Sequence, residues 1–165
     1  MEQALSYTAA LTVGSIGVFT DTRYGLIPNK LTLTALALGL ALHAVLGGWA
    51  GFIFAAQGVA LGLGLFLIPF LIGGMGAGDV KLLAALGAFI GPSHIFVTFL
   101  FSVFLGGVMG LVVLIRTFGL RETFVTLFHS WNMLLSPAWR TTRLTGFPFA
   151  SAILFGVLVS LVVVW

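Results

Sequence analysis

The chain is 165 residues long, and 60% of its residues are hydrophobic whereas only 7% are charged. A soluble globular domain carries about 25% charged residues, so these few charges cannot cover a water-facing surface. The composition therefore excludes an ordinary soluble domain, a disordered chain and a nucleic-acid-binding module. It predicts an integral membrane protein whose surroundings are a lipid bilayer. The net charge of +3 fits cytoplasmic loops enriched in Lys and Arg.

The residue types that are missing or scattered restrict the chemistry. There is no cysteine, which excludes a disulfide framework, a thiolate nucleophile and a Cys-ligated metal. The three histidines, His43, His94 and His129, lie in different segments, so neither a metal site nor a cofactor is predicted. The first residues lack the basic segment of a cleaved signal peptide, and we interpret them as a retained first span.

Six apolar runs follow one another along the chain, separated by glycine and proline clusters. They are Ala4–Thr20, Leu31–Leu46, Ala50–Ile72, Val80–Ile90, Ile95–Ile115 and Pro148–Trp165. The strands of a transmembrane barrel would instead be short segments of alternating hydrophobicity. A membrane-spanning helix needs about 20 apolar residues. The sequence therefore predicts an all-α, polytopic bundle of about six transmembrane helices that forms a single domain over residues 1–165.

The fourth run, Val80–Ile90, is the shortest. At 1.5 Å per residue it makes a helix of about 17 Å, against a hydrocarbon core of about 30 Å, so it is either a short span or a re-entrant hairpin. The charges favour a crossing, because six crossings place every Lys and Arg on the same side of the membrane. The positive-inside rule then puts those residues in the cytoplasm and both termini outside.

The longest segment between spans extends from Arg116 to Phe147. Apolar residues recur in it at spacings of three and four: Leu120, Phe124, Leu127, Phe128, Trp131, Leu134 and Leu135. One such stripe is typical of a helix. We predict an amphipathic helix that lies on the cytoplasmic interface before the last span. The alternative is a loosely structured loop with an apolar bias.

Two acidic residues stand in turns rich in glycine and proline at the edges of predicted spans. Asp21 opens the stretch that leads through Pro28 and Asn29 into the second span, and Asp79 closes the string Gly76–Asp79 before the fourth. The crossing count places both acids on the cytoplasmic side. Because ionisable groups at membrane depth cost free energy, they tend to mark function.

Each acid also has a purely structural explanation. Asp79 suits the first turn of a helix, as an N-cap, because the helix dipole favours a carboxylate there. Asp21 can be a helix-end charge that pairs with Arg23. In the same stretch, Asn29 is a suitable N-cap for the second span.

Together, two carboxyl groups on one membrane face point to more specific chemistry. Aspartic proteases hold two Asp side chains that share one proton. One carboxylate takes a proton from water, while the other carboxyl group protonates the carbonyl oxygen of the scissile bond. No Ser/His/Asp pattern competes with this pair in the sequence, and the pair needs no metal.

The two turns resemble the motifs of the type IV prepilin peptidases, aspartic membrane peptidases of the GxGD class. The matching positions are Asp21, Arg23, Ile27, Pro28, Asn29, Leu31 and Thr32 in the first motif and Gly76, Gly78, Asp79 and Lys81 in the second. A weaker third match lies at Pro148-Phe149-Ala150, where the family usually has Gly in place of Ala150. The departure bears on how tightly the sixth helix packs.

The resemblance implies roles for these residues. Asp21 and Asp79 would be catalytic, with support from Gly76, Gly78, Lys81, Arg23, Pro28 and Asn29. Arg23 and Lys81 each neighbour one of the acids. A cation there either stabilises a charged carboxylate or anchors its own helix at the headgroups by snorkelling.

The resemblance also implies a substrate, a branch and a location. The substrate would be a prepilin or pseudopilin whose basic leader is cut on the cytoplasmic face of the inner membrane, before its hydrophobic stalk, and the pilus assembly machinery is a further partner. The match is closest in form to the short branch associated with Flp or tight-adherence pili. Bifunctional members carry an additional N-terminal segment, often with paired Cys, so N-methyltransferase activity is not expected here.

Two hypotheses from other classes stay open. A transporter or proton pathway can use two intramembrane Asp and helices broken by glycine, although the sequence shows no internal repeat. A non-enzymatic assembly factor of a secretion or pilus system would need no acid pair. Replacing either Asp by Asn separates these hypotheses, because an assembly factor should tolerate the change and a peptidase should not.

Overall fold

The computed structural model of the chain describes residues 2–71, 75–133 and 149–164, with 2, 113–114 and 117–133 described by their backbone alone. Four helices account for almost all of these residues: α1 (Glu2–Tyr24), α2 (Asn29–Leu71), α3 (Ala77–Met133) and α4 (Phe149–Val163). The prediction of an all-α protein is confirmed for the described part of the chain.

Helix α2 folds back on itself at Gly48. This residue has φ 59° and ψ −141°, a conformation that glycine adopts without a steric penalty. The ring centroids of His43 and Phe54 are only 5.5 Å apart, whereas a straight helix would separate these residues by about 16 Å. The reversal lies between the second and third apolar runs, where the sequence places a pair of glycines.

Helix α3 folds back in the same way at Gly91, which has φ 74°. Before this turn, a Cβ on Gly62 would lie 2.9 Å from the carbonyl oxygen of Leu83. After it, the ring of Phe99 lies 5.4 Å from that of Phe66, one helical turn along from Gly62. A straight α3 would hold Leu83 and Phe99 about 24 Å apart. With both reversals, the described chain forms six helical segments.

The part of α3 before the turn, Ala77–Gly91, is called the central segment here. Every residue from Leu82 to Gly91 is buried, and a helix that is apolar and buried all round lies in a core. At 1.5 Å per residue the segment is about 22 Å long. Because other helices rather than lipid surround it, it does not have to match the full thickness of a hydrocarbon core. This explains why the fourth run is short.

The closest approach to the central segment comes from the second half of α2. The backbones of Gly58 and Gly87 are in direct contact, so that a Cβ on either residue would overlap the carbonyl group of the other. Small residues let helices in membranes pack at short distance, where van der Waals contact and interhelical hydrogen bonds replace the hydrophobic effect. This contact holds the two segments together at the middle of the bundle.

A methyl group at Gly58 is therefore expected to destabilise the fold. Gly58→Ala should lower the free energy of unfolding by about 1–3 kcal/mol, because the overlap forces a backbone shift. Gly64→Ala is the matched control on the same helix, since Gly64 is exposed and a Cβ there meets no atom within 4 Å. Thermal unfolding in detergent should show a lower midpoint for Gly58→Ala alone. Equal midpoints for both variants would contradict the contact.

The remaining contacts decide which residues share an end of the bundle. Helix α1 is antiparallel to the central segment, since Gly17 packs on Leu82 and the hydroxyl of Tyr7 is 3.2 Å from Nε2 of His94. The turns at Gly48 and Gly91 lie at the same end as His94, which is called the turn end.

Helix α4 is antiparallel to the part of α3 that follows Gly91. The hydroxyl of Thr98 donates to that of Ser160 at 3.2 Å, and Gly106 lies against the ring of Phe149. The start of α4 is therefore opposite the turn end. This opposite end, which also holds Asp21 and Asp79, is called the aspartate end.

Within the described residues, two helical stretches are long and apolar enough to cross a membrane, Asn29–Leu71 and Ala77–Val112. Large apolar side chains are exposed on the outside of the bundle, among them Val45, Trp49 and Phe104. An exposed apolar surface of this kind marks a membrane or protein interface.

The predicted amphipathic helix falls partly on described residues. The backbone of α3 stays helical as far as Met133, which includes the positions from Leu120 to Trp131 of the apolar stripe. Leu134 and Leu135 lie outside the described residues. The position of this helix on the membrane interface stays a prediction.

Candidate active site

Asp21 lies in the last turn of α1. Gly25 ends the helix in the left-handed region, with φ 64°, and its N–H donates to the carbonyl oxygen of Asp21 at 2.8 Å. A glycine in this conformation is a common helix C-terminus. The chain then turns towards α2, and the carboxyl group of Asp21 is left half-buried at the aspartate end.

Asp79 is the third residue of α3 rather than its N-cap. Its N–H donates to the carbonyl oxygen of Gly76 at 3.2 Å, and its carboxyl group accepts a hydrogen bond from the N–H of Gly76. An acidic residue in this position satisfies a free amide at the helix start, as in a capping box. Asp79 therefore does stabilise the start of the helix, although from its third residue and not as the N-cap. The hydrogen bond from Gly76 uses only part of the capacity of its carboxyl group to accept hydrogen bonds.

The two carboxyl groups lie within electrostatic range of each other, since the charge of Asp21 acts on that of Asp79. Both residues are half-buried. Two like charges held together without a cation are unfavourable unless they share a proton. The structure thus brings together the two acids that the sequence singled out.

A third element completes the surroundings of Asp21. The N–H of Ala150, in the first turn of α4, donates a hydrogen bond to its carboxyl group. Atom Oδ2 of Asp21 is buried and has no hydrogen-bond partner among the described residues. An unpaired buried acceptor costs about 1–3 kcal/mol, so this atom is a strong candidate for contact with a substrate or a water molecule.

The pairing of Asp21 with Arg23 is not found. Arg23 is exposed, and no ion pair joins it to Asp21 in the described part of the chain. The purely structural account of Asp21 as one half of a salt bridge is therefore wrong.

The prediction that Asn29 caps α2 is also wrong. The carbonyl oxygen of Pro28 accepts from the N–H groups of Leu31 and Thr32, at 3.1 and 3.4 Å, so Asn29 already lies inside the first turn. Its side-chain oxygen accepts instead from Nζ of Lys81 at 2.9 Å. This hydrogen bond joins the two motifs directly.

The glycines of the second motif serve close packing. A Cβ on Gly78 would lie 3.2 Å from Cβ of Ile27, which is tighter than an ordinary contact, and a Cβ on Gly76 would lie 3.3 Å from Oδ2 of Asp79. Neither glycine has a positive φ. The absence of a side chain, rather than an unusual backbone conformation, explains why glycine suits both positions.

No three His, Asp or Glu residues come together as a metal site within the described ranges. His43 hydrogen-bonds to the carbonyl oxygen of Gly39 and His94 to the hydroxyl of Tyr7, both near the turn end. The two acids are therefore the candidate catalytic groups at the aspartate end.

The contribution of Ala150 is not predicted from the sequence. It acts through its backbone N–H, which any residue but proline would supply, so its identity carries no direct signal. Only the weak third match at Pro148-Phe149-Ala150 marked the region.

Comparison with known proteins identifies the family of the chain. The model of a family described as the type IV leader peptidase family matches residues 8–111, which include both motifs. The chain belongs to the type IV leader peptidase family. No solved structure matches it.

Curated members of the type IV leader peptidase family carry the name prepilin leader peptidase/N-methyltransferase. The protein from Xanthomonas campestris pv. campestris is 39% identical over 102 residues, which are 54% of this chain and 33% of that protein. The proteins from Burkholderia pseudomallei (strain 1026b) and Bacillus subtilis (strain 168) are each 36% identical, over 56% and 55% of this chain and 32% and 37% of their own length. The chain spans about a third of the length of these relatives.

Proposed function

We propose that this chain is a membrane-embedded aspartic endopeptidase that removes the basic leader from type IV prepilins or pseudopilins of the Flp-like kind. The observation that carries the proposal is the proximity of Asp21 and Asp79 at one end of the bundle, with Oδ2 of Asp21 buried and without a hydrogen-bond partner among the described residues. Membership of a leader peptidase family supports the reaction class. The whole of residues 1–165 would form the peptidase domain.

The chemistry follows from two carboxyl groups that share one proton. The charged carboxyl group takes a proton from a water molecule as that water attacks the scissile carbonyl carbon. The protonated carboxyl group gives its proton to the carbonyl oxygen, and collapse of the tetrahedral intermediate transfers a proton to the leaving amine. Water supplies both the nucleophile and the protons, so the reaction balances without a metal or a cofactor.

The distribution of basic residues supports a cytoplasmic site. Among residues whose side chains are described, Arg23, Lys30, Lys81 and Arg116 are all exposed and lie towards the aspartate end. By the positive-inside rule this end would face the cytoplasm. The N-terminal end of α1 and the C-terminal end of α4 lie at the turn end. This would place both termini outside. We propose six crossings of the inner membrane on the same basis.

This topology predicts opposite labelling of two single-cysteine variants. The chain has no native Cys, so Lys30→Cys reports the aspartate end and Gly47→Cys, where a side chain meets no atom within 4 Å, reports the turn end. A membrane-impermeant thiol reagent added to whole cells should label Gly47→Cys only, and both should react after permeabilisation. Labelling of Lys30→Cys in intact cells would contradict the proposed orientation.

The substrate class fits the position of the site. A prepilin has a basic leader followed by an apolar stalk, and the bond between them would lie where the stalk helix leaves the bilayer. Carboxyl groups at one end of a bundle, rather than at its midplane, would meet that bond. The relatives' names join two activities, and we propose the peptidase activity alone because the matching family is a leader peptidase family.

The other hypotheses have less support. A transport pathway would place its acids near the midplane, whereas Asp21 and Asp79 lie at one end. A role as an assembly factor would not explain why a carboxylate oxygen of Asp21 is buried without a hydrogen-bond partner among the described residues.

Co-expression with candidate Flp-like prepilins tests the proposal. A shift of the pilin to the leaderless size on a gel is expected with the wild-type chain and not with Asp79→Asn at equal membrane abundance. The proposal fails if each candidate prepilin keeps its leader, or if Asp79→Asn removes it as well as the wild type does.

A further inference from the structure

A hydrogen bond joins the starts of two helices beside the aspartate pair. Nζ of Lys81 donates to Oδ1 of Asn29 at 2.9 Å. Lys81 follows Asp79 by two residues in α3, and Asn29 is the first residue of α2. Both side chains are exposed at the aspartate end. Because the amine of Lys81 is hydrogen-bonded to the amide oxygen of Asn29, this bond links the start of α3 to the start of α2.

A second contact lies next to this hydrogen bond. Ile27 is buried against Gly78, with a Cβ on Gly78 only 3.2 Å from that of Ile27. Gly78 and Lys81 bracket Asp79 along α3. The first turn of the central segment is thus attached at two points to the stretch that connects α1 to α2.

The same connecting stretch begins at the end of α1, whose last turn holds Asp21. The N–H of Gly25 is hydrogen-bonded to the carbonyl oxygen of Asp21 at 2.8 Å, and Ile27 and Asn29 follow within four residues. Any shift of the stretch relative to α3 therefore changes the separation between Asp21 and Asp79. A reaction that needs two carboxyl groups to share a proton is sensitive to that separation.

We infer that Lys81 and Asn29 are positioning residues, whose hydrogen bond holds the connection between α1 and α2 against the first turn of α3 and so fixes Asp79 relative to Asp21. The inference rests on the proposed peptidase function. Among the described residues, neither side chain is hydrogen-bonded to Asp21 or Asp79. The contrasting role for Lys81, stabilisation of a carboxylate by its charge alone, would not require Asn29.

Kinetics of prepilin cleavage by the purified full chain separate these roles. Lys81→Met and Asn29→Leu should each lower kcat by about 10- to 100-fold with KM unchanged, as expected for a misplaced catalytic group. The double variant should stay within about threefold of the slower single variant, because both changes remove one bond. Asn29→Asp, which keeps an acceptor, should retain most of the activity, and Lys30→Met is the control for loss of an exposed neighbouring cation.

Wild-type kcat in Asn29→Leu, or single effects that multiply in the double variant, would overturn the inference while leaving the proposed function intact. A change in KM alone would overturn it as well. Thermal unfolding midpoints close to that of the wild type establish that the variants are folded.

A cross-linking measurement tests the role of Lys81 without an activity assay. In the double variant Ile27→Cys/Gly78→Cys, the two Cβ atoms would be 3.2 Å apart in the present geometry. This is close to the Cβ separation of about 3.5–4.5 Å that a disulfide needs. Adding Lys81→Met should slow oxidative cross-linking about fivefold, as expected for loss of one hydrogen bond, whereas adding Lys30→Met should not. An unchanged rate with Lys81→Met overturns the inference. If the wild type fails to cleave prepilins, the proposed function fails, and the cross-linking rate still decides whether Lys81 holds the two elements together.

Discussion

Asp21→Asn and Asp79→Asn are each expected to abolish leader cleavage. Asparagine keeps the volume of the side chain but cannot take up or release a proton in the required range. General acid–base catalysis contributes about 100- to 10,000-fold per group, and the loss should reach this size at either position. Cleavage of a prepilin by the purified chain in lipid vesicles measures it.

The sequence supplies matched controls, because it contains only two other acidic residues, Glu2 and Glu122. Glu2→Gln and Glu122→Gln make the same chemical change and should leave the rate unchanged. If Asp21→Asn or Asp79→Asn cleaved at the wild-type rate, the pair could not be the acid and base. The transport or assembly hypotheses would then have to be tested first.

Asp79→Glu is expected to lower the rate of cleavage by about 100-fold, because a displacement of roughly 1 Å at a reacting group has an effect of that size. The change keeps a carboxyl group that titrates but moves it by one methylene. Position 79 suits the test well. Asp79 is the third residue of α3, where Glu is also favourable for starting a helix.

The stability of Asp79→Glu is the control for this prediction. A thermal unfolding midpoint equal to that of the wild type would show that the helix start is intact, so that the lost rate reports geometry. A rate within about threefold of the wild type would indicate that the position of this carboxyl group does not limit the reaction, contrary to the effect expected for a misplaced group.

Much of the helix arrangement could be predicted from the sequence. The breaks at Gly48 and Gly91 were predicted because glycine and proline interrupt otherwise continuous apolar runs, and both glycines have positive φ. Counting crossings placed Asp21 and Asp79 on one side, and the structure brings them to one end. These successes depend on local signals, namely hydrophobicity and turn-forming residues.

Side-chain partners were less predictable, because they depend on residues distant in the sequence. Asn29 has the residue type of an N-cap, yet its oxygen binds Lys81, which only the packing of α3 on the start of α2 brings within reach. Asp21 has Arg23 beside it in the sequence, yet its described hydrogen-bond donor is the N–H of Ala150 in the last helix. A rule based on neighbours in the chain cannot identify such contacts.

The most direct test of the aspartate pair is the mass of the products formed from a purified prepilin by the reconstituted chain. The account predicts one cut between the basic leader and the apolar stalk, at the same rate with and without a chelator, and no cut with Asp21→Asn or Asp79→Asn. An intact prepilin after incubation with the folded wild-type chain would contradict it. So would a rate that a chelator abolishes and added metal restores, or cleavage by either variant at the wild-type rate.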